Sequence, residues 1–328
     1  MTKKMFRIVL CATLFALSLS AEAQQPTKIP RIGNLWGISP SDGSGPIEAF
    51  RQGLRELGYV EGKNIVIEWR FAEGKLDRLP ALAAELVRLK VDVIVSAGPI
   101  VTRAAKEATT VIPIVMAWDP EPVANGFVVS LARPGGNITG LSTLAPELSG
   151  KRLELLKEII PNLSRVAFFG TSTMPGNAQS LKEAELVARE FKVTLQYLEV
   201  LSVKDLENAF RAASKEQAGA ALMQVAGAVA LVNRTQILDL AVKNRLPVMY
   251  DRREVVEEGG LMNYGPNVID LYRRAATYVD KILKGRTPAD LPVEQPMKFE
   301  FIINLKAAKA IGLTIPPNAL VRADKVIK

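Results

Sequence analysis

The 328-residue chain contains no histidine, and its one cysteine is Cys11. Without histidine, a Ser-His-Asp triad and a Cys/His zinc site cannot be assembled. Cys11 lies inside an apolar run from Ile8 to Leu19, preceded by Lys3, Lys4 and Arg7 and followed by Ala21-Glu22-Ala23. Those three regions have the order of a secretory signal peptide cut after Ala23. The run is short for a membrane span, and Cys11 does not stand at its end, where a lipid-modified cysteine would. The expectation is a soluble exported chain of residues 24–328, without cysteine and so without a thiol nucleophile. Neither a metal site nor a cofactor is expected, and the chain is expected to be a periplasmic monomer.

Aromatic residues make up only 6% of the chain and charged residues 23%. The net charge is +8, which raises the question of nucleic acid. Lys and Arg are interspersed with Asp and Glu along amphipathic stretches, however, which is the pattern of solvated helix faces. Neither nucleic-acid binding nor stable membrane insertion is therefore expected.

What the chain does have is one plan used twice. Its first half alternates strands at Arg31–Trp36, Asn64–Arg70, Val91–Ser96 and Ile112–Ala117 with helices near Pro46–Leu57, Asp77–Leu89 and Val101–Ala108. The second half repeats this with strands at Arg165–Gly170, Val193–Val200, Ala220–Val225 and Pro247–Tyr250. Short β-branched runs separated by helical spacers indicate parallel strands with crossover helices, and corresponding starts recur at a similar spacing. Leu206, Ala209, Phe210 and Ala213 share one helix face, as do Val268, Leu271, Tyr272, Ala275, Val279 and Ile282, and both stripes read as core. Asp77 suits an N-cap. The fold class is α/β, with two doubly wound parallel-sheet lobes.

The chain does not end with the second block. A long helix over Asn267–Lys284, a Pro-rich connection and a strand at Lys298–Ile303 follow. The expected first lobe is 24–142 with 265–292, and the second is 143–264 with 293–328. Three crossings near Gly140–Pro146, Tyr264–Pro266 and Pro292–Met297 then form a hinge.

In open parallel sheets ligands gather at the carboxyl ends of the strands. Loops Gly37–Gly45, Ala97–Thr102, Trp118–Pro122, Thr171–Gly176, Ala226–Val229 and Asp251–Arg253 would line the cleft. Helices starting after Gly98-Pro99 and near Gly176 would offer free N–H groups to a carboxylate. Ser96, Thr102, Thr171 and Ser172 supply hydroxyls, and Asp119 or Asp251 suits an ammonium group. Trp36, Trp118, Tyr250 and Tyr264 fall at strand ends, where rings sandwich an aromatic group or a cation. Ser39, Gln224 and Gly227 complete the candidate contacts. Each has a structural alternative: Ser96 and Thr102 as caps, Asp119 before Pro120 as a turn initiator, Trp36 as a strand residue, Asp251 as one member of a surface ion pair, Tyr264 as a hinge residue. Gly150-Lys151-Arg152 is not a phosphate loop, because Arg stands where Ser or Thr must reach magnesium.

Five stretches carry a family resemblance: Arg51–Ile65 (RQGLRELGYVEGKNI), Ser130–Ser142 (SLARPGGNITGLS), Lys151–Pro161 (KRLELLKEIIP), Gly259–Asn267 (GGLMNYGPN) and Leu291–Pro316. Together they resemble the tryptophan/tyrosine-type substrate-binding proteins of ABC transporters. The resemblance implies a periplasmic-binding-protein fold of the first type, a ligand captured between the lobes, and a membrane permease as partner. The combined expectation is a receptor for an amino acid with an apolar or aromatic side group, or a related carboxylate. Two other readings stand beside it: presentation of the ligand to a sensor or chemoreceptor, and a hydrolase using Asp119 with Asp251.

Overall fold

The computed structural model describes residues 29–328 apart from 144, 175, 226 and 297. The expected signal peptide, residues 1–23, lies outside the described residues. Five strands form the first sheet: β1 (Arg31–Trp36), β2 (Val66–Phe71), β3 (Val93–Ala97), β4 (Ile114–Asp119) and β5 (Ile138–Ser142). All are parallel, in the order β2-β1-β3-β4-β5. The second sheet repeats that order with β6 (Arg165–Gly170), β7 (Thr194–Glu199), β8 (Ala220–Gln224), β9 (Val248–Tyr250) and β10 (Met262–Pro266), arranged β7-β6-β8-β9-β10. Helices cover both faces of such sheets, which is why their central strands are continuous apolar runs. Val93–Val95 and Ala220–Met223 are buried throughout.

The second sheet then extends beyond its five parallel strands. β11 (Phe299–Asn304) pairs antiparallel with β10, and β12 (Lys325–Ile327) pairs parallel with β11. Between β10 and β11 the chain leaves for the first lobe, and it returns at the end it left, with Phe299 beside Pro266, which makes β11 antiparallel.

That visit is made by a long helix. Helices α1 (Ser44–Glu56), α2 (Leu79–Arg88) and α3 (Pro99–Ala108) follow β1, β2 and β3, and α4 (Ala145–Ile159) follows β5. Around the second sheet run α5 (Asn177–Glu190), α6 (Val203–Lys215), α7 (Gly227–Val232), α8 (Arg234–Lys243) and α9 (Arg253–Glu257). Helix α10 (Val268–Leu283) leaves β10 but buries Leu271, Tyr272, Ala275, Ala276 and Val279 in the first core, beside Phe50 and Leu54 of α1. Gly53 lets the two helices touch: a Cβ there would lie 2.2 Å from the Arg273 carbonyl oxygen. The chain next runs beside β5, where Ser142 N donates to Glu294 O (2.8 Å) and Val293 N to Leu131 O (2.7 Å). It re-enters the second sheet at β11, and α11 (Leu305–Ile311) and α12 (Pro317–Arg322) complete the second core.

Both expected apolar stripes are buried, on α6 and on α10. Asp77 does not cap a helix. It sits in a single 3₁₀ turn, Leu76–Arg78, and α2 begins beyond it at Leu79 without a side-chain cap. Pro80 occupies the first turn of α2, where its missing N–H leaves no bond unmade.

Candidate functional site

A cavity of about 50 Å³ lies between the lobes at the carboxyl ends of their strands. The first lobe contributes Trp118, Pro120 and Val268, and Thr143 and Pro266 lie where the chain crosses. Most of the wall comes from the second lobe, through Arg152, Met174, Gly176, Asn177, Ser180, Gln224, Val225, Asp251 and Arg252. One buried water needs roughly 10–15 Å³, so this conformation has room for a few waters.

Strand register orders the polar groups on the second-lobe wall. Gly170, ending β6, lies opposite Gln224, ending β8, and Met223 lies opposite Tyr250 of β9. Gln224 and Asp251 therefore leave neighbouring strands side by side. Asn177 opens α5 directly after Gly176, whose φ of 81° is the left-handed conformation that glycine adopts without strain. Its Oδ1 lies over Gly170, 2.6 Å from where a Cβ would be, and its Nδ2 donates to the Tyr197 hydroxyl (3.3 Å).

At the other end of the row stands Arg152, from α4. It is 1% exposed, and its Nε donates to the Tyr264 carbonyl oxygen at 2.7 Å. A Cβ on Gly265 would meet both Arg152 Nη2 (3.4 Å) and Asp251 O (2.9 Å), which places the guanidinium beside the start of the Asp251 loop. Arg152 Nη1 has no hydrogen-bond partner among the described residues. Burial lowers the Arg152 pKa from its usual value and the Asp251 charge opposes that shift. Arginine is so strongly basic that it stays charged nonetheless, and a buried charge short of partners is costly. An anion reaching Nη1 removes that cost.

The opposite wall is Trp118. Its Nε1 donates to the Tyr272 hydroxyl at 3.1 Å, and its ring covers Gly98, where a Cβ would come within 2.8 Å. The Arg252 guanidinium carbon lies 5.3 Å from the Trp118 ring centroid, a cation–π contact made from the other lobe. Trp118 therefore combines a fixed edge with a flat apolar face.

Of the residues expected to contact ligand, Trp118, Gln224 and Asp251 line the cavity. The others are spent elsewhere. Trp36 is fully buried, stacked on Tyr272 at 5.0 Å with its Nε1 on Asn34 Oδ1. Tyr250 is buried in the second core, and Tyr264 stacks on Phe299. Ser96 and Thr102 bond each other at 2.9 Å with no exposed surface. The start of α3 at Gly98 and Pro99 lies under Trp118 rather than open to a carboxylate. Thr171 donates to Val200 O (2.7 Å), the Ser172 N–H donates to Glu199, and Gly227 opens α7 away from the cavity lining. Ser39 sits in an exposed loop and donates to Asp42 Oδ2 at 2.6 Å. Asp119 alternates with Trp118 and Pro120 along the end of β4, so it faces away from the cavity when they face it. It is wholly buried, and its Oδ1 accepts from Glu121 N (2.9 Å) and Asn125 Nδ2 (2.8 Å), the turn chemistry of an Asp before Pro. No Asp119/Asp251 pair faces across the cavity, and the described residues hold no metal-binding cluster.

Sequence reasoning missed Arg152, Asn177, Ser180 and Thr143. Arg152 did carry a signal: it falls at helical spacing among Leu148, Leu155, Leu156 and Ile159, all buried. Asn177 and Ser180 likewise share the buried face of α5 with Ala184 and Ala188. A polar residue on an apolar stripe is the feature that would have found all three.

The architecture is shared with solved structures. A conserved domain protein of Vibrio cholerae superposes with a TM-score of 0.83 at 28% identity, over 91% of this chain and all of that one. A Streptococcus pneumoniae ABC domain solved in complex with L-Trp gives 0.84 at 24% identity, over 91% of this chain and 99% of that one. In sequence, the chain is 26% identical to the tyrosine-binding protein of Clostridioides difficile over 267 residues, covering 81% of this chain and 76% of the relative. Residues 45–327 match the family model described as ABC transporter substrate binding protein, and the chain belongs to that family.

Proposed function

We propose that this substrate-binding protein captures an amino acid with an aromatic or apolar side group and delivers it to an ABC permease from the periplasmic side of the membrane. The observation that carries the reading is Arg152, a buried guanidinium on the cavity wall whose Nη1 has no partner among the described residues, beside the Asp251 carboxylate. Arginine holds carboxylates through paired, charge-assisted bonds. Asp251 suits the ammonium group, and the Trp118 face suits the side group. A tyrosine-binding relative and a Trp-bound structural neighbour support the same ligand class. The family itself implies the permease, and no described helix is long and apolar enough to cross a membrane. The segments joining the sheets would act as the hinge, with lobes of 24–142 plus 265–292 and 143–264 plus 293–328. Ligand favours the closed form only through contacts with both lobes, and Trp118 opposite Arg152 provides them.

Calorimetric titration with tyrosine, phenylalanine, tryptophan and their decarboxylated amines tests this. At least one amino acid should bind, and its amine should bind more than about 30-fold more weakly, because the amine leaves Arg152 unpaired, a loss on the order of 2–5 kcal/mol. An amine binding as tightly as its parent acid would remove Arg152 from ligand recognition. Failure of every amino acid to bind would overturn the ligand class.

A further inference from the structure

Arg152 is not the only wall residue with an open hydrogen-bonding position. Asn177 is 7% exposed and its Oδ1 has no partner; Gln224 is 9% exposed and its Nε2 has none, both among the described residues. The two are neighbours, since Asn177 Oδ1 lies over Gly170 and Gly170 is the register partner of Gln224. The Asn177 Nδ2 donation to the Tyr197 hydroxyl leaves Oδ1 as the free end of the amide. One acceptor and one donor without partners among the described residues therefore belong to the same stretch of the cavity wall.

Buried polar atoms are nearly always satisfied, so a pair left open at a binding cavity calls for a ligand group of matching polarity. A hydroxyl is such a group, because it donates one hydrogen and accepts through its lone pairs. We propose that Asn177 and Gln224 recognise a hydroxyl on the ligand's side group, so that the cleft selects hydroxylated amino acids over their deoxy analogues. The hydroxyl donates to Asn177 Oδ1 and accepts from Gln224 Nε2, while the zwitterion occupies Arg152 and Asp251 further along the wall. This rests on the amino-acid reading above and adds the determinant of choice within that class. A site built to bond a hydroxyl discriminates strongly against the analogue lacking it, because the site's own polar groups are then left unpaired.

The test is calorimetric titration of the purified protein with two matched pairs, tyrosine against phenylalanine and 5-hydroxytryptophan against tryptophan. At least about tenfold tighter binding of the hydroxylated member is expected in one pair or both. Gln224→Met, which keeps the length and removes the donor, should bring that ratio toward one by weakening the hydroxylated ligand alone, and Asn177→Leu should do the same. Melting curves of both variants confirm that each is folded. Equal affinities within both pairs would overturn the inference, as would a ratio that survives both substitutions. Binding of other amino acids but none of these four would overturn it and leave the wider reading standing. Failure of all amino acids would overturn both.

Discussion

Asp119 carries a carboxyl with no exposed surface, and burial pushes its pKa up to about 7. The Glu121 backbone N–H and the Asn125 amide pull the other way through Oδ1, and Arg103 adds a smaller pull in the same direction. Oδ2 has no partner among the described residues. The carboxyl is therefore kept protonated in the folded protein at pH values where the unfolded chain has already lost the proton. Stability contributed in this way is complete below the unfolded value near 4 and is lost as pH rises toward 7. Asp119→Asn keeps the Oδ1 acceptor and cannot ionise. It should raise stability at about pH 8 by an amount on the order of a few kcal/mol, read as a higher melting temperature, and change little near pH 4. Melting curves across that range test this, and a shift equal at both ends would refute it. Affinity for the ligand should be unchanged by Asp119→Asn, because the side chain lies outside the cavity lining. Asp119 ends its strand and Asp251 follows one, and only strand alternation separates their places. An alternating pattern two residues long gives no register in the sequence, so both aspartates stand as candidates there.

Helix α10 decides the architecture of the first lobe, and its attachment depends on Gly53. A methyl at that position would meet the Arg273 carbonyl at 2.2 Å and the Ala276 Cβ at 2.9 Å. Both belong to a helix pinned by its own buried face, so the clash cannot relax cheaply. Gly53→Ala should cost roughly 1–3 kcal/mol, as overpacking does, although alanine is the better helix former. Urea denaturation followed by tryptophan fluorescence would show it, since Trp36, Trp69 and Trp118 all belong to the first lobe; a neutral result would mean that the helices separate freely. The strand-and-helix alternation, the repeat and the apolar stripes of α6 and α10 were legible because periodicity reports burial directly. The antiparallel β11 was not, because direction depends on the end from which the chain returns, and that is set by where α10 docks. Along the chain, Arg152 stands out only as the residue that breaks a phosphate motif. Its meaning lies on the helix face, where a charge interrupts a line of buried leucines.

At the scale of the whole molecule, the lobes are held by interactions on both sides of the cavity. Asn267, at the second crossing, donates to Glu300 Oε1 (2.9 Å), and Arg253 donates to Glu300 Oε2 (2.8 Å), so the hinge side is braced by one carboxylate of β11. On the other lobe faces, Arg234 of α8 reaches Asp42 of the β1–α1 loop at 3.5 Å while also bonding Glu258. Ser39 fixes the second Asp42 oxygen, so a residue expected to touch ligand instead orients a cross-lobe ion pair. Such an exposed pair contributes about 1 kcal/mol or less. That is still enough to bias an equilibrium between open and closed forms, because an ion pair that breaks when the lobes part stabilises the closed state alone. Asp42→Asn should therefore weaken ligand binding by about two- to fivefold, mostly through faster dissociation, without touching the cavity wall. Raising salt to about 1 M, where screening acts within about 3 Å, should shrink the difference between the variant and the unaltered protein. Stopped-flow dissociation at low and high salt measures both. A loss of affinity that persists undiminished in high salt would show that Asp42 acts through loop structure, and an unchanged dissociation rate would mean that Trp118 and the ligand hold the lobes together without the ion pair.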